Sequence, residues 1–487
     1  MQMISRQDIE ARLKMAFPLR GRWHNGFHLE MPFGLINDPN GLAYVDGEYH
    51  IFYQWNPLGC QHKNKCWAHV RTSDLINYTV PELSMWPDDQ YDKDGCYSGC
   101  GFEENDRLRV LYTCNAKDDE GHRTPSQRMG TLMADGKIRK DEIVLYKEAE
   151  GYTPHFRDPY VFSRLGERYF VIGAMSKDRK GRAVVYRKEA MPSGSSTWHL
   201  LGEIKTGYQD FGYMWECPNF LHIDGQDVLI FCPQGLAAQE YKYQNLYQSG
   251  YVTGSWNPDT MEMVHGKFQE LDRGFDFYAP QVMVQKDRYL MWGWMGIPEE
   301  EGLHPSARDG WVFSQTVPRE LTLQDGHICQ WPARELENLR LDGHITRITA
   351  QDVAEYATKV KLPGRSDINL SCQMGEAHRI SISLCYGDEK LQLVYDRQSQ
   401  VMSIDRNGMK LGGRGIRRFI LAAKDTLELR ILADTSAVEI FFEHGREAAA
   451  LSVYPVAEDR PQLKLFADGK IKSLEGICWE LQGFTYG

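Results

Sequence analysis

Five short motifs set a polar or aromatic side chain ahead of a Pro or Gly: Asn37-Asp38-Pro39, Tyr97-Ser98-Gly99, Arg157-Asp158-Pro159, Trp215-Glu216-Cys217-Pro218 and Tyr278-Ala279-Pro280. Three of them carry carboxylates, Asp38, Asp158 and Glu216, while the other two offer Ser98 and Tyr278. Two close carboxylates plus a third are what a retaining glycosidase needs. One ionised carboxylate attacks the anomeric carbon; the other, protonated, donates to the leaving oxygen and then activates water across a gap of about 5–5.5 Å. These roles demand unequal proton affinities. The nucleophile must be held ionised by donors, for which Asn37 and nearby backbone amides are candidates. The acid must be raised, and Trp215 and Cys217 flank Glu216 with little polarity. Arg157, next to Asp158, is expected to keep Asp158 ionised and able to accept from sugar hydroxyls. Trp55, Trp67, Tyr97, Phe102, Trp215 and Tyr278 lie in or beside the motifs. Each alone reads as core, but as a set around one axis their flat rings suit the C–H faces of a sugar.

Something must bring these distant residues together. Each motif stands just ahead of a tight turn between two runs of β-branched and aromatic residues. The turns fall at Asp46-Gly47, Asn105-Asp106, Leu165-Gly166, Asp224-Gly225 and Lys286-Asp287, about sixty residues apart. A fixed period of all-β units is the signature of a propeller, in which each repeat is one antiparallel sheet packed on its neighbours. The first strand of each blade lines the axis, so equivalent slots converge at one end of a funnel. Pro at the entry of such a strand removes no ladder hydrogen bond.

The segments GLINDPNG (34–41), YQWNP (53–57), CYSG (96–99), HFRDP (155–159), YMWECP (213–218) and FDFYAPQ (275–281) resemble glycoside hydrolase family 32, the β-fructofuranosidases, in the family's order and over nearly the whole chain. The resemblance implies an all-β fold, a five-bladed β-propeller followed by a C-terminal β-sandwich, and hydrolysis of β-fructosides with retention. It implies Asp38 as nucleophile, Glu216 as general acid/base and Asp158 as transition-state stabiliser. Asn37, Gln54, Tyr97, Ser98 and Arg157 become expected substrate contacts, with Trp55, Trp67 and Tyr278 as ring surfaces. Where the family commonly has a tryptophan ahead of the Asn-Asp-Pro, this chain has Leu35-Ile36, which then belong to the expected fructose-side wall.

Within the family, YQWNPLGCQHKNKCWAH (53–69) and PDDQYDKDGCYSG (87–99) resemble the bacterial intracellular members that act on sucrose 6-phosphate. A phosphate on the glucosyl O6 needs cations at the funnel rim, and His62, Lys63 and Lys65 follow the first hairpin at a suitable place. The plain reading of that loop is a solvated one. Cys60, His62 and Cys66 have the wrong spacing for a zinc site, so no metal is expected. No organic cofactor is expected either, since carboxylates supply both halves of the chemistry. The alternative substrate is unphosphorylated sucrose or a short fructo-oligosaccharide. A non-catalytic fructan-binding module is disfavoured because both Asp38 and Glu216 are present.

The 487 residues carry a net charge of −11, against what a nucleic-acid or anionic-membrane partner requires. The expected partner is a small sugar, and the sequence does not reveal an oligomeric state. Ser5 to Phe17 is charged throughout, with a Ser5/Asp8 capping box and Ile9 and Leu13 on one face of a short helix. Eleven cysteines, an odd number without a CxxC pair, read as reduced thiols in a cytoplasmic protein. Three parts follow: an N-terminal extension (1–19), the propeller (20–335), and a linker with the β-sandwich (336–487). The charged stretch 335–352 reads as a connector, and Glu439 as exposed surface.

Overall fold

The structure is a computed structural model that describes residues 5–17, 21–191, 196–423 and 425–487. The expected boundary at residues 19 and 20 adjoins or enters the stretch 18–20, outside the described residues. Helix α1 (Arg6–Ala16) starts at the expected capping box: the Asp8 amide donates to Ser5 Oγ (3.2 Å) and the Ser5 amide to Asp8 Oδ2 (2.9 Å). Its Ile9 and Leu13 are buried.

The next three hundred or so residues form five mainly antiparallel sheets. Their first strands are β1 (Gly34–Val45), β2 (Cys96–Glu103), β3 (Tyr152–Arg164), β4 (Met214–Ile223) and β5 (Tyr278–Gln285). Four of the five hairpins close with two residues, as the pairs Val45–Glu48, Arg164–Glu167, Ile223–Gln226 and Gln285–Arg288 show. Asp46-Gly47, Leu165-Gly166 and Asp224-Gly225 have both φ values positive, the turn whose twist matches paired strands. The hairpin at Asn105-Asp106 is wider, closing at Glu103–Leu108.

The sheets headed by β2 to β5 are regular four-strand meanders, two of them with a short extra strand. The first sheet departs from the pattern. Its outer position is divided between Asn77–Tyr78 and Glu82–Met85, and it gains two parallel strands, Trp311–Val312 beside β1 and Thr485–Tyr486 at its far edge. The propeller therefore has four regular blades rather than five alike. The first strands touch in a ring, β1 to β2, β2 to β3, β3 to β4, β4 to β5 and β5 back to β1.

The C-terminal part is sandwich-like, as expected, but not as two separate sheets. It is one ten-stranded sheet that curls around its own core of residues such as Ile368, Leu429, Ile440 and Leu474. The cause is β6 (Gln462–Leu481), which pairs with Arg379–Tyr386 along its first half and Ser366–Gln373 along its second. A strand this long belongs to both halves and joins them. The 335–352 stretch is no loose connector, because Arg340–Ala357 is an 18-residue strand that pairs along β6.

Glu439, expected at the surface, is fully buried and ties the sheet to the propeller. It accepts from Arg319 Nε (2.7 Å) and the Val317 amide (2.7 Å), and it lies 3.2 Å from His28 Nε2. Arg319 also donates to Asp272 (2.9 Å), and His28 Nδ1 bonds Asp434 (2.9 Å). Burial opposes the charge on His28, but bonds to Asp434 and Glu439 outweigh it and raise the imidazole to about 9. All eleven cysteines are free thiols.

Candidate active site

Each of the five first strands carries a bulge at its motif, where the ladder skips between Ile36 and Pro39, Cys96 and Gly99, Arg157 and Tyr160, Glu216 and Asn219, and Tyr278 and Gln281. A bulge re-aims side chains that a flat strand would turn into the core. Asp158, Cys217 and Ala279 all have positive φ, at 66°, 46° and 49°, and each precedes a proline. Aligned on that proline or glycine, the motifs form two rings. By sequence Asp38, Ser98, Asp158, Cys217 and Ala279 make the lower ring and Asn37, Tyr97, Arg157, Glu216 and Tyr278 the upper; in the ladder Arg157, Glu216 and Tyr278 are level with Ile36 and Cys96, so Asp38 and Ser98 lie two positions further along. Counting back from the turns set Glu216 and Tyr278 level with Asp38, whereas the ladder sets them nearer the mouth.

The rings enclose a cavity of about 270 Å³ at one end of the axis, lined by all three carboxylates. Ser98 Oγ donates to Asp38 Oδ2 (2.5 Å) and Asn37 Nδ2 to Oδ1 (2.9 Å). Gln54 locks both donors, accepting from Asn37 (2.7 Å) and donating to Ser98 (2.9 Å). Lys65 is not a rim cation. It lines the cavity deep in the funnel, is 3% exposed, and donates its ammonium to Asn37 Oδ1. Burial pulls Lys65 down to about 7 against the attraction of Asp38. Burial also raises Asp38 above the usual carboxylate range; the bonds from Ser98 and Asn37 and the Lys65 charge oppose it, and Glu216 adds repulsion. The donors expected to dominate at Asp38 are thus outweighed by desolvation.

Arg157 serves Glu216 rather than Asp158. Its Nε lies 3.0 Å from Glu216 Oε1, with Nη2 on the same oxygen, but 4.0 Å from Asp158. Tyr278 Oη (2.6 Å) and Gln234 Nε2 (2.8 Å) donate to Glu216 Oε2. The apolar flank expected for Glu216 is absent, since Trp215 turns into the core against Phe231 and Arg157 takes its place. Asp158 accepts from the Cys217 amide (3.1 Å) and is raised to about 7, first by burial, with Glu216 and Asp38 repelling it and Arg157 opposing.

Four further expectations are corrected by burial. Leu35, Ile36, Trp55 and Trp67 are at most 1% exposed and face the core between blades. The indoles of Trp55 and Trp67 donate to Phe33 O (2.8 Å) and Tyr97 O (3.2 Å). Phe102 lies at the opposite end of the axis, in another cavity. Lys63 is exposed and outside the cavity, whereas His62 lines its mouth, stacked on Trp294 at 5.8 Å. His155, from the HFRDP segment, and residues without a motif complete the wall: Arg123, Gln234, Tyr247, Trp294, Pro298 and Glu299. Strand alternation would have found Gln234, which lies two residues beyond Cys232, the cross-strand partner of Glu216. Among the described residues, no group of three or more His, Cys, Asp or Glu side chains could hold a metal ion. No helix there is long and apolar enough to cross a membrane.

The pattern that defines the N-terminal domain of glycosyl hydrolases family 32 matches residues 28–332, and that of the family's C-terminal domain matches residues 335–479. The chain belongs to glycosyl hydrolases family 32. It is a glycoside hydrolase, and the funnel with its three carboxylates is this family 32 enzyme's candidate centre. A sucrose-6-phosphate hydrolase of Bacillus subtilis (strain 168) is 36% identical over 464 residues, covering 93% of each chain. One from Salmonella typhimurium is 36% identical over 440 residues, covering 89% of this chain and 88% of the other. Among solved structures, sucrose-6-phosphate hydrolase from Lactobacillus gasseri superposes with a TM-score of 0.85 at 27% identity, covering 99% of each chain. A Bombyx mori family 32 β-fructofuranosidase, solved as a mutant in complex with sucrose, superposes with a TM-score of 0.83 at 25% identity over the whole of both chains.

Proposed function

We propose that this family 32 enzyme is a retaining β-fructofuranosidase that hydrolyses sucrose 6-phosphate to glucose 6-phosphate and fructose. The observation that carries the reading is the two-level placing of Asp38 and Glu216 in one funnel. A fructosyl ring seated on the floor meets Asp38, whose carboxylate attacks the anomeric carbon and forms a covalent fructosyl ester. Glu216, nearer the mouth, faces the bond to the leaving group and gives its proton to that oxygen; it then takes a proton from the water that releases fructose. Arg157, Gln234 and Tyr278 fix the orientation of Glu216, and Asn37, Gln54 and Ser98 that of Asp38. Asp158 is the transition-state stabiliser, accepting from fructosyl hydroxyls. The phosphorylated substrate is supported by the relatives, which carry that name at 36% identity over most of both chains.

The first sheet completes the ring of first strands, so we read it as the fifth blade. The unit boundary is read near residue 335. Eleven thiols without a disulfide support a reducing, cytoplasmic setting. An intracellular invertase acting on free sucrose is the second reading, favoured by the likeness to the sucrose-bound insect enzyme.

Three measurements test the proposal. Asp38→Ala should lower kcat by at least about 10⁴-fold while leaving the fold intact, and retained turnover would refute the nucleophile. Mass spectrometry of Glu216→Gln with a substrate whose leaving group needs no proton should show the chain plus one fructosyl unit on the Asp38 peptide. Equal kcat/KM for sucrose and its 6-phosphate would overturn the phosphorylated substrate and leave the glycosidase standing.

A further inference from the structure

The cations of the funnel divide sharply by what already holds them. Lys65 is committed to Asn37 and Asp38, and Arg157 to Glu216. Arg123 is different: it lines the cavity and, among the described residues, has no carboxylate within 4.0 Å. Its guanidinium lies over the Tyr97 ring at 5.4 Å, and Nη2 is 3.4 Å from the Tyr97 hydroxyl, so the aromatic ring orients it without neutralising it. His155, on the neighbouring β3, lines the same wall and lies 3.1 Å from Arg157 Nη1. Partial burial first, then the charges of Arg157 and Arg123, hold His155 down to about 4, so it faces the cavity as a neutral imidazole able to donate one hydrogen bond.

Another part of the wall carries a carboxylate. Glu299 lines it, accepting from the Tyr247 hydroxyl at 3.1 Å, next to Pro298 and the His62–Trp294 stack. A dianion there would meet a carboxylate; one on the Arg123 side would meet a guanidinium, whose fork suits phosphate oxygens. Resting on the sucrose 6-phosphate reading, we propose that Arg123, with His155 beside it, binds the substrate's phosphate, and that the 62–65 loop does not. Arg123 then determines specificity for the phosphomonoester without touching the reacting atoms. Tyr97 is its positioning residue: the ring holds the guanidinium toward the cavity while the wall below remains free for the sugar.

The test compares kcat/KM for sucrose 6-phosphate and sucrose in the full chain and in Arg123→Gln, Arg123→Lys and Lys63→Ala. The phosphate-to-free ratio should fall by about 30- to 300-fold in Arg123→Gln, mainly through KM, and by less in Arg123→Lys, which keeps the charge but loses the fork. It should stay unchanged in Lys63→Ala. Inhibition by glucose 6-phosphate should weaken in Arg123→Gln by a similar factor, while inhibition by fructose should not. An unchanged ratio in Arg123→Gln, or a selective loss in Lys63→Ala, overturns the assignment while leaving the substrate reading intact. A wild-type enzyme that does not distinguish the two substrates overturns both. If Arg123→Gln does not fold, Arg123→Lys and glucose 6-phosphate inhibition decide: an unaltered ratio and inhibition constant in Arg123→Lys refute the fork.

Discussion

Replacing Asp158 by Asn should raise stability while destroying activity, and the gain should depend on pH in one direction. Asp158 is 6% exposed and its carboxyl is raised to about 7, mainly by burial and then by the neighbouring Glu216 and Asp38, with Arg157 opposing. For a carboxyl raised from 3.8 to about 7, the folded state binds the proton more tightly than the unfolded chain. Its contribution is therefore most favourable below 3.8 and falls as pH rises to about 7, above which the full penalty is present. A shift of roughly 3 units at about 1.4 kcal/mol each sets an upper bound near 4 kcal/mol, and sharing of protons among the three carboxylates reduces it to about 2–3. Asn is the right replacement for two local reasons. It tolerates the φ of 66° better than most residues, and its amide oxygen can still accept from the Cys217 amide. At about 2.1 cal/mol/K per residue, unfolding a propeller of this size moves about 1.5 °C per kcal/mol, so the melting temperature should rise by about 3–5 °C at pH 8. At pH 4 the two proteins should melt together. Thermal scans at one heating rate from pH 4 to 8 test this, and a difference that is flat with pH, or that favours the wild type at pH 8, would refute burial of charge as the cause.

Three other perturbations probe separate parts of the molecule. Tyr278→Phe removes the 2.6 Å bond to Glu216 and should lower kcat by about 10- to 100-fold with little change in KM; a change confined to KM would place Tyr278 in binding alone. Lys65→Met takes away the charge that favours ionised Asp38, so the acid limb of kcat/KM against pH should move upward, and an unmoved limb would show that Lys65 acts only through packing. His28, raised from 6.5 to about 9, gives stability that is complete below 6.5 and lost as pH rises through 9. His28→Gln should therefore cost on the order of 3 kcal/mol at pH 6 and little at pH 10 in denaturant titrations, and a pH-independent cost would sink the claim.

Much of the centre was legible because its signals are local. A Pro or Gly after a polar residue marks a bulged strand, and hairpin chemistry marks the period, so the five motifs and the three carboxylates emerge from short windows. What failed depends on contacts between windows. Trp55 and Trp67 read as sugar platforms, but blade strands are buried on both faces, so an aromatic beside a motif has core to fill on either side. The partner of Arg157 was misread because its sequence neighbour, Asp158, is not its spatial one; alternation carries Arg157 to the level of Glu216. Glu439 reads as surface until Arg319 and His28 are found around it. Arg123 and Gln234 come from strands without a motif, and only the closure of the funnel recruits them.

The offset of Glu216 from Asp38 carries the most consequence. Turn counting cannot detect a bulge, which inserts a residue without lengthening the sheet, so five slots looked level. Two levels are what displacement at an anomeric carbon requires, because attack and departure occur on opposite sides of the carbon and need groups at different depths. The lower ring offers Asp38 and Asp158 with Ser98 as donor; the upper ring offers Glu216 with Arg157 and Tyr278. The floor is shut by Cys217 and Ala279, side chains too small and too apolar to compete for the sugar. Moving Glu216 down to the position of Cys217 would set it level with Asp158, beneath the leaving oxygen. A double change, Glu216→Cys with Cys217→Glu, therefore keeps the composition of the funnel but should lose the departure step. Substrates with a leaving group that needs no proton should still form the fructosyl ester on it, whereas sucrose 6-phosphate should not; equal loss on both would show that depth is not what separates the two roles.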